Sequence, residues 1–197
     1  FTMMHLANNH ILDYDTKGVA DTLGYVGRAG LDALGVARDA KNARASRQLA
    51  LAYYRLGEVG QAYQQFQKAK QLDPDNLDNH LKLGTIYLLG RQPKAAREEA
   101  TLVLDRDAKN LDALLLLAGA ATTPEEADAA IRRLEEVRAD FDNQAKLHMA
   151  LAPLYLRKQD VAKAESAFKE ALAREPKSVE ARLALGDFYL LKRDTAQ

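Results

Sequence analysis

The chain has 197 residues, 47% of them hydrophobic, which is enough for one ordinary domain or a short array of repeats with its own core. Lysine plus arginine equals aspartate plus glutamate at 28 each, so no net field draws the protein to nucleic acid or to an anionic membrane, and neither is expected as a partner. The absence of cysteine excludes disulfides, thiolate zinc sites and cysteine nucleophiles, and there is no apolar run of about eighteen residues to span a membrane.

In chain order, the first element is polar. "MHLANNHILDYD", residues 4–15, holds two histidines, two asparagines and two aspartates, a density of metal-capable groups found nowhere else in the chain. The pattern predicts a short apolar segment, a loop over "NNHILDYD", a helix from about Lys17 with Val19, Leu23 and Val26 on one face and Gly30 as its stop, and then the apolar piece "LDALGV". The run "HLANNHILDYDTKGVADTLGYVGRAGLDALGVARDAKNA" resembles a segment of the capsule and poly-gamma-glutamate synthesis family, whose domain is metallophosphoesterase-like. That resemblance implies a place for Asn9 and His10 beside a metal-centred cleft. A two-metal site needs further carboxylates and histidines from several strand ends, and those segments are absent, so no metal, cofactor or complete active site is expected here. Residues 1–42 read as a cap or as the remnant of an upstream domain.

From Ala43 onward the sequence repeats every thirty-four residues, with units at 43–76, 77–110, 111–144, 145–178 and a half unit at 179–197. The seventh position is Leu49, Leu83, Leu117, Leu151 and Leu185, and the eighth is always small: Ala50, Gly84, Ala118, Ala152 and Gly186. The twentieth position reads Ala62, Ala96, Ala130 and Ala164, and Pro74 and Pro176 close the first and fourth units. Small residues at those places let antiparallel helices approach closely while tyrosines and phenylalanines fill the space around them. This pattern resembles the tetratricopeptide repeat and implies an all-α, right-handed α-solenoid of antiparallel helix pairs. The family's tryptophan at position four is missing, and His80 and His148 stand there as packing residues. The half unit leaves uncovered the apolar face that a second helix would bury, which predicts that the natural protein continues past Gln197. In "TTPEEADAA", Thr123 and Glu126 form a capping box around Pro124, whereas Pro153 falls inside a helix and predicts a local bend.

The acidic and basic residues of "PEEADAAIRRLEEVRAD" read as solvated faces, and no phosphate loop or nucleophile elbow is present, so the repeats are expected to bind and not to catalyse. By the family frame the first helices line a concave groove. Its candidate ligand-binding residues are Arg47, Leu51 and Tyr54 in the first unit and Leu81 and Leu88 in the second. Leu115 follows in the third unit, with Thr122 and Thr123 beside it, and Met149 and Leu156 in the fourth. An aliphatic trough with a basic mouth suits a protein or peptide ligand such as an amphipathic helix, or self-association with a second copy. The expected function is a protein-interaction scaffold. The alternative is the C-terminal portion of a capsule-synthesis-like protein whose repeats position a catalytic domain. The envelope resemblance favours the cell envelope or periplasm over the cytoplasm.

Overall fold

The computed structural model describes residues 43–194, all backbone, with side chains to Lys192, so the readings made for residues 1–42 lie outside the described residues. Among the described residues ten helices follow one another: α1 (Ala43–Arg55), α2 (Val59–Leu72), α3 (Leu77–Leu89), α4 (Pro93–Leu104), α5 (Leu111–Gly119), α6 (Pro124–Glu136), α7 (Arg138–Phe141), α8 (Ala145–Arg157), α9 (Val161–Arg174) and α10 (Val179–Asp194). The described residues contain no strand. The helices α1, α3, α5, α8 and α10 begin at Ala43, Leu77, Leu111, Ala145 and Val179. The chain divides into two compact units, one ending at Ile86 and the other beginning at Tyr87.

In the first unit α1 packs on α2. Ala50 and Ala52 of α1 and Ala62, Phe66 and Ala69 of α2 are buried, as small residues at a close helix crossing should be. The chain reverses between these helices through Gly57, at φ 78°. Its N–H reaches the Tyr54 carbonyl, and the next N–H, from Glu58, reaches that of Tyr53.

The second unit repeats the device twice, with residues less suited to it. Arg91 (φ 55°) and Gln159 (φ 60°) take the left-handed conformation at the corresponding turns. Arg91 and Gln92 donate to Leu88 and Tyr87, and Gln159 and Asp160 to Leu156 and Tyr155. Within this unit α4 packs on α5, α5 on α6 and α8, α6 on α8, α8 on α9 and α9 on α10. Buried Ala96, Ala100, Leu116 and Ala120 form one cluster, with Tyr87, Leu88 and Leu117 against it. At the far end Phe168 of α9 meets Phe188 of α10 with ring centroids 5.6 Å apart.

The third repeat departs from the thirty-four-residue frame. Helix α5 stops at Gly119, so Thr122 and Thr123, read from sequence as groove positions, lie in a turn. Thr123 instead caps α6: its Oγ1 accepts from Glu126 N–H at 3.3 Å, and its own N–H donates to Glu126 Oε2 at 3.2 Å, which completes the expected capping box. Because α6 starts early, the alanine that corresponds to Ala62, Ala96 and Ala164 is Ala127 and not Ala130. Each of these four donates its N–H to the carbonyl of the residue just before its helix. Both Ala127 and Ala130 are buried. The short turn leaves carbonyls at its end, and arginines from neighbouring helices satisfy them. Arg97 donates to Ala120 O at 2.8 Å, and Arg157 donates to Ala121 O.

Pro153 sits inside α8, which continues unbroken to Arg157, with the proline exposed. Having no N–H, it leaves the Met149 carbonyl without its usual donor. In α10 the small eighth residue, Gly186, would meet nothing within 4 Å of an added Cβ, and Leu183 and Leu190 are exposed, since no described helix packs on that face.

Candidate interaction surface

The residues expected to bind lie on first helices. Arg47, Leu51 and Tyr54 are on α1 and Leu81 on α3, in the first unit, and all four are half-buried. In the second unit Leu88, Leu115, Met149 and Leu156 are also half-buried, neither in the core nor free in solvent. Leu88 is partly committed to packing: it lies against the Ala96–Leu116–Ala120 cluster, and its Cδ1 would stand 3.0 Å from a Cβ added at Gly119. Leu115 and Met149 are brought together. With Ala145 and Ala150 they line a cavity of about 280 Å³ that opens between α5, α8 and the start of α10. Leu156 does not line it.

Position four carries a recurring hydrogen bond. His80 Nε2 lies 2.9 Å from Pro74 O, His148 Nε2 2.8 Å from Asp142 O, and Arg182 Nη2 2.9 Å from Pro176 O, each partner six residues upstream. A carbonyl only accepts, so each histidine carries a proton on Nε2. Both histidines are buried and serve the packing role expected of them.

A second cavity, of about 480 Å³, opens between α6, α8 and α9, and no pattern in the sequence pointed to it. Arg138 joins its walls: it donates to Glu135 Oε1 at 3.2 Å and to Glu170 Oε2 at 2.6 Å. The same oxygen, Glu170 Oε2, lies 3.1 Å from His148 Nδ1, while Arg174 pairs with Asp142. Tyr155 donates its hydroxyl to Glu135 Oε1 at 2.6 Å, and burial together with that carboxylate pushes the phenol above its ordinary range. Glu135 and Arg138, read from sequence as solvated surface, therefore cross-link α6, α7, α8 and α9 from half-buried positions. Their i, i+3 spacing was the only signal, and it does not distinguish an exposed pair from one that faces a neighbouring helix. Asp142, His148 and Glu170 lie within 4.8 Å of one another as potential ligands, but Arg138 and Arg174 already neutralise the two carboxylates.

Glu126 and Glu165 are, like Asp160, held below the ordinary carboxylate range by hydrogen-bond donors. Glu126 accepts the Thr122 N–H at 2.6 Å and the Thr122 hydroxyl at 2.8 Å, with Arg97 2.7 Å from its other oxygen. Glu165 is brought down to about 2 by donors from Lys169, Lys192 and Tyr189. Both lie away from the Leu115 cavity.

Helix pairs that begin thirty-four residues apart, with buried alanines at their crossings, define a tetratricopeptide-repeat scaffold. A tetratricopeptide-repeat profile matches residues 149–197, and the profile of the bacterial capsule synthesis protein PGA_cap matches residues 1–142. The chain belongs to that bacterial capsule synthesis protein family, and the part of the match from Ala43 onward falls on the helices α1 to α7. Among curated proteins it is 26% identical over 149 residues to the type IV pilus assembly protein PilF of Pseudomonas aeruginosa, covering 75% of this chain and 59% of the relative's length. A solved structure of Pseudomonas aeruginosa PilF gives a TM-score of 0.63 at 25% identity, covering 77% of this chain and 69% of the other. A thermophilic tetratricopeptide-repeat protein of Thermus thermophilus shares the fold, with a TM-score of 0.69 at 24% identity, covering 76% of this chain and 82% of the other. YrrB, described as a tetratricopeptide-repeat protein with an unusual peptide-binding site, gives 0.58 at 18%, covering 81% and 82%. No described helix is long and apolar enough to cross a membrane.

Proposed function

We propose that the chain is a protein-interaction scaffold that works by binding and not by catalysis, and that the first helices of its repeats present the surface for a peptide or a partner helix. Arg47, Leu51, Tyr54 and Leu81 form that surface in the first unit, and Leu88, Leu115, Met149 and Leu156 in the second. The observation that carries the reading is the cavity of about 280 Å³ between Leu115 and Met149, a concave apolar place on first helices of adjacent repeats, where a ligand side chain can be desolvated. The peptide-binding site for which YrrB is described and the assembly role in PilF's name support binding over the alternative in which the repeats only position a catalytic domain. We also take residues 1–42 as a segment separate from the repeats at 43–197, and the cell envelope as the place of action, on the strength of the capsule-synthesis family and the pilus-assembly relative.

The test is substitution of Leu115 by glutamate. The residue is half-buried at a cavity edge, so helicity should persist while binding to an amphipathic peptide, or self-association seen by sedimentation, is lost. Unfolding of this variant would place Leu115 in the interhelical core and remove the main support for the reading. Arg47→Ala should weaken association mildly and in a salt-dependent way, as expected for a rim charge.

A further inference from the structure

The cavity between Leu115 and Met149 is apolar at its floor and acidic at its rim. Leu115, Ala145, Met149 and Ala150 supply the floor, and Lys146, Glu175 and Glu180 bring charge to the edge. Lys146 is already neutralised, with its Nζ 2.7 Å from Asp112 Oδ1. Glu175 and Glu180 are exposed, and neither carboxylate has a cation partner among the described residues. The N-terminus of α10, where Ser178 Oγ accepts the Ala181 N–H at 3.2 Å, sets roughly half a positive charge against these two carboxylates and leaves the rim negative.

Resting on the groove reading above, we propose that this cavity seats one aliphatic or aromatic side chain of a partner helix whose adjacent residues are lysine or arginine, so that the scaffold selects cationic amphipathic segments over acidic ones. A volume of about 280 Å³ takes one large side chain, and the apolar floor desolvates it. The neighbouring cations then meet the carboxylates of Glu175 and Glu180. An acidic segment would instead place like charges against the rim.

Two labelled amphipathic peptides with the same leucine face, one with lysine and one with glutamate at the flanking positions, are titrated against the 197-residue chain by fluorescence anisotropy. The lysine peptide should bind about tenfold more tightly, the advantage expected of two exposed ion pairs, and should lose that advantage at high salt. The double variant Glu175→Lys, Glu180→Lys changes only exposed side chains, so it keeps the fold, and it should reverse the order. Equal affinities that both disappear in Leu115→Glu would sink the charge selection and leave the groove reading standing. Binding that survives Leu115→Glu would sink the groove reading and the proposal with it, and so would failure of the lysine peptide to bind up to millimolar concentration.

Discussion

His148 shows how one side chain can do two jobs in a repeat that has lost its tryptophan. Fully buried, it fills the position-four space and donates to the Asp142 carbonyl. Replacing it with leucine keeps most of the volume but orphans the Asp142 carbonyl. His148→Leu should therefore cost about 1–3 kcal/mol in urea unfolding. His80→Leu, which gives up the bond to the Pro74 carbonyl without touching the Glu170 network, should cost less. Tyr155 makes a prediction of a different kind. Its folded phenol is held above the ordinary tyrosine value by burial and by Glu135, so the unfolded chain loses this proton first as pH rises. From about pH 10 upward the unfolded state binds fewer protons than the folded one, and stability must fall. Urea midpoints measured between about pH 9 and about pH 11 should show this decline, and Tyr155→Phe should flatten it. An unchanged slope in that variant would assign the alkaline loss to other groups.

At the scale of elements, the turns and the early start of α6 are the informative places. Gly57 and Gln159 occupy the same left-handed turn conformation, but only glycine adopts it without strain. Gln159→Gly should thus stabilise the chain by about 1 kcal/mol, whereas Gly57→Ala should cost about as much, although a Cβ there meets nothing within 4 Å. Thermal midpoints moving the other way would show that these turns are not held by backbone conformation. In α6, Glu126 closes the capping box and accepts from Thr122 as well, and these donors depress its pKa. A depressed folded pKa gives stability that is present above the ordinary carboxylate range and is lost as pH falls through the lowered value. Glu126→Gln should remove that part of the acid dependence, as read by helicity against pH. The same helix buries Ala127 completely, and leucine there should overpack the third repeat by about 1–3 kcal/mol.

For the molecule as a whole, stability passes between neighbouring helices, and the packing order says where damage should travel. Helix α6 packs on α5 and α8, so Ala127→Leu should raise amide exchange first there and only later in α10, which is not among its main packing partners. Uniform acceleration along the chain would be inconsistent with stacked repeats. Much of this organisation was legible beforehand. A period of thirty-four residues with small side chains at fixed positions is a local property of the sequence, and it located the helix starts at Leu77, Leu111, Ala145 and Val179 and the capping box at Thr123. The register of the third repeat was not legible, because a turn shortened before Pro124 leaves the alanine spacing intact in sequence while making Ala127 the fourth residue of α6, and both Ala127 and Ala130 are buried. Nor was the network of Arg138, Glu135, Glu170 and Tyr155, since its bonds join residues more than a helix apart, and spacing along one helix cannot say which neighbour a charge will face. The sequence by itself determined the repeat and the packing at its crossings. Only the tertiary structure decided which half-buried leucines share a cavity and which charges stand unneutralised at its rim, because both depend on where one repeat sets its first helix beside the next.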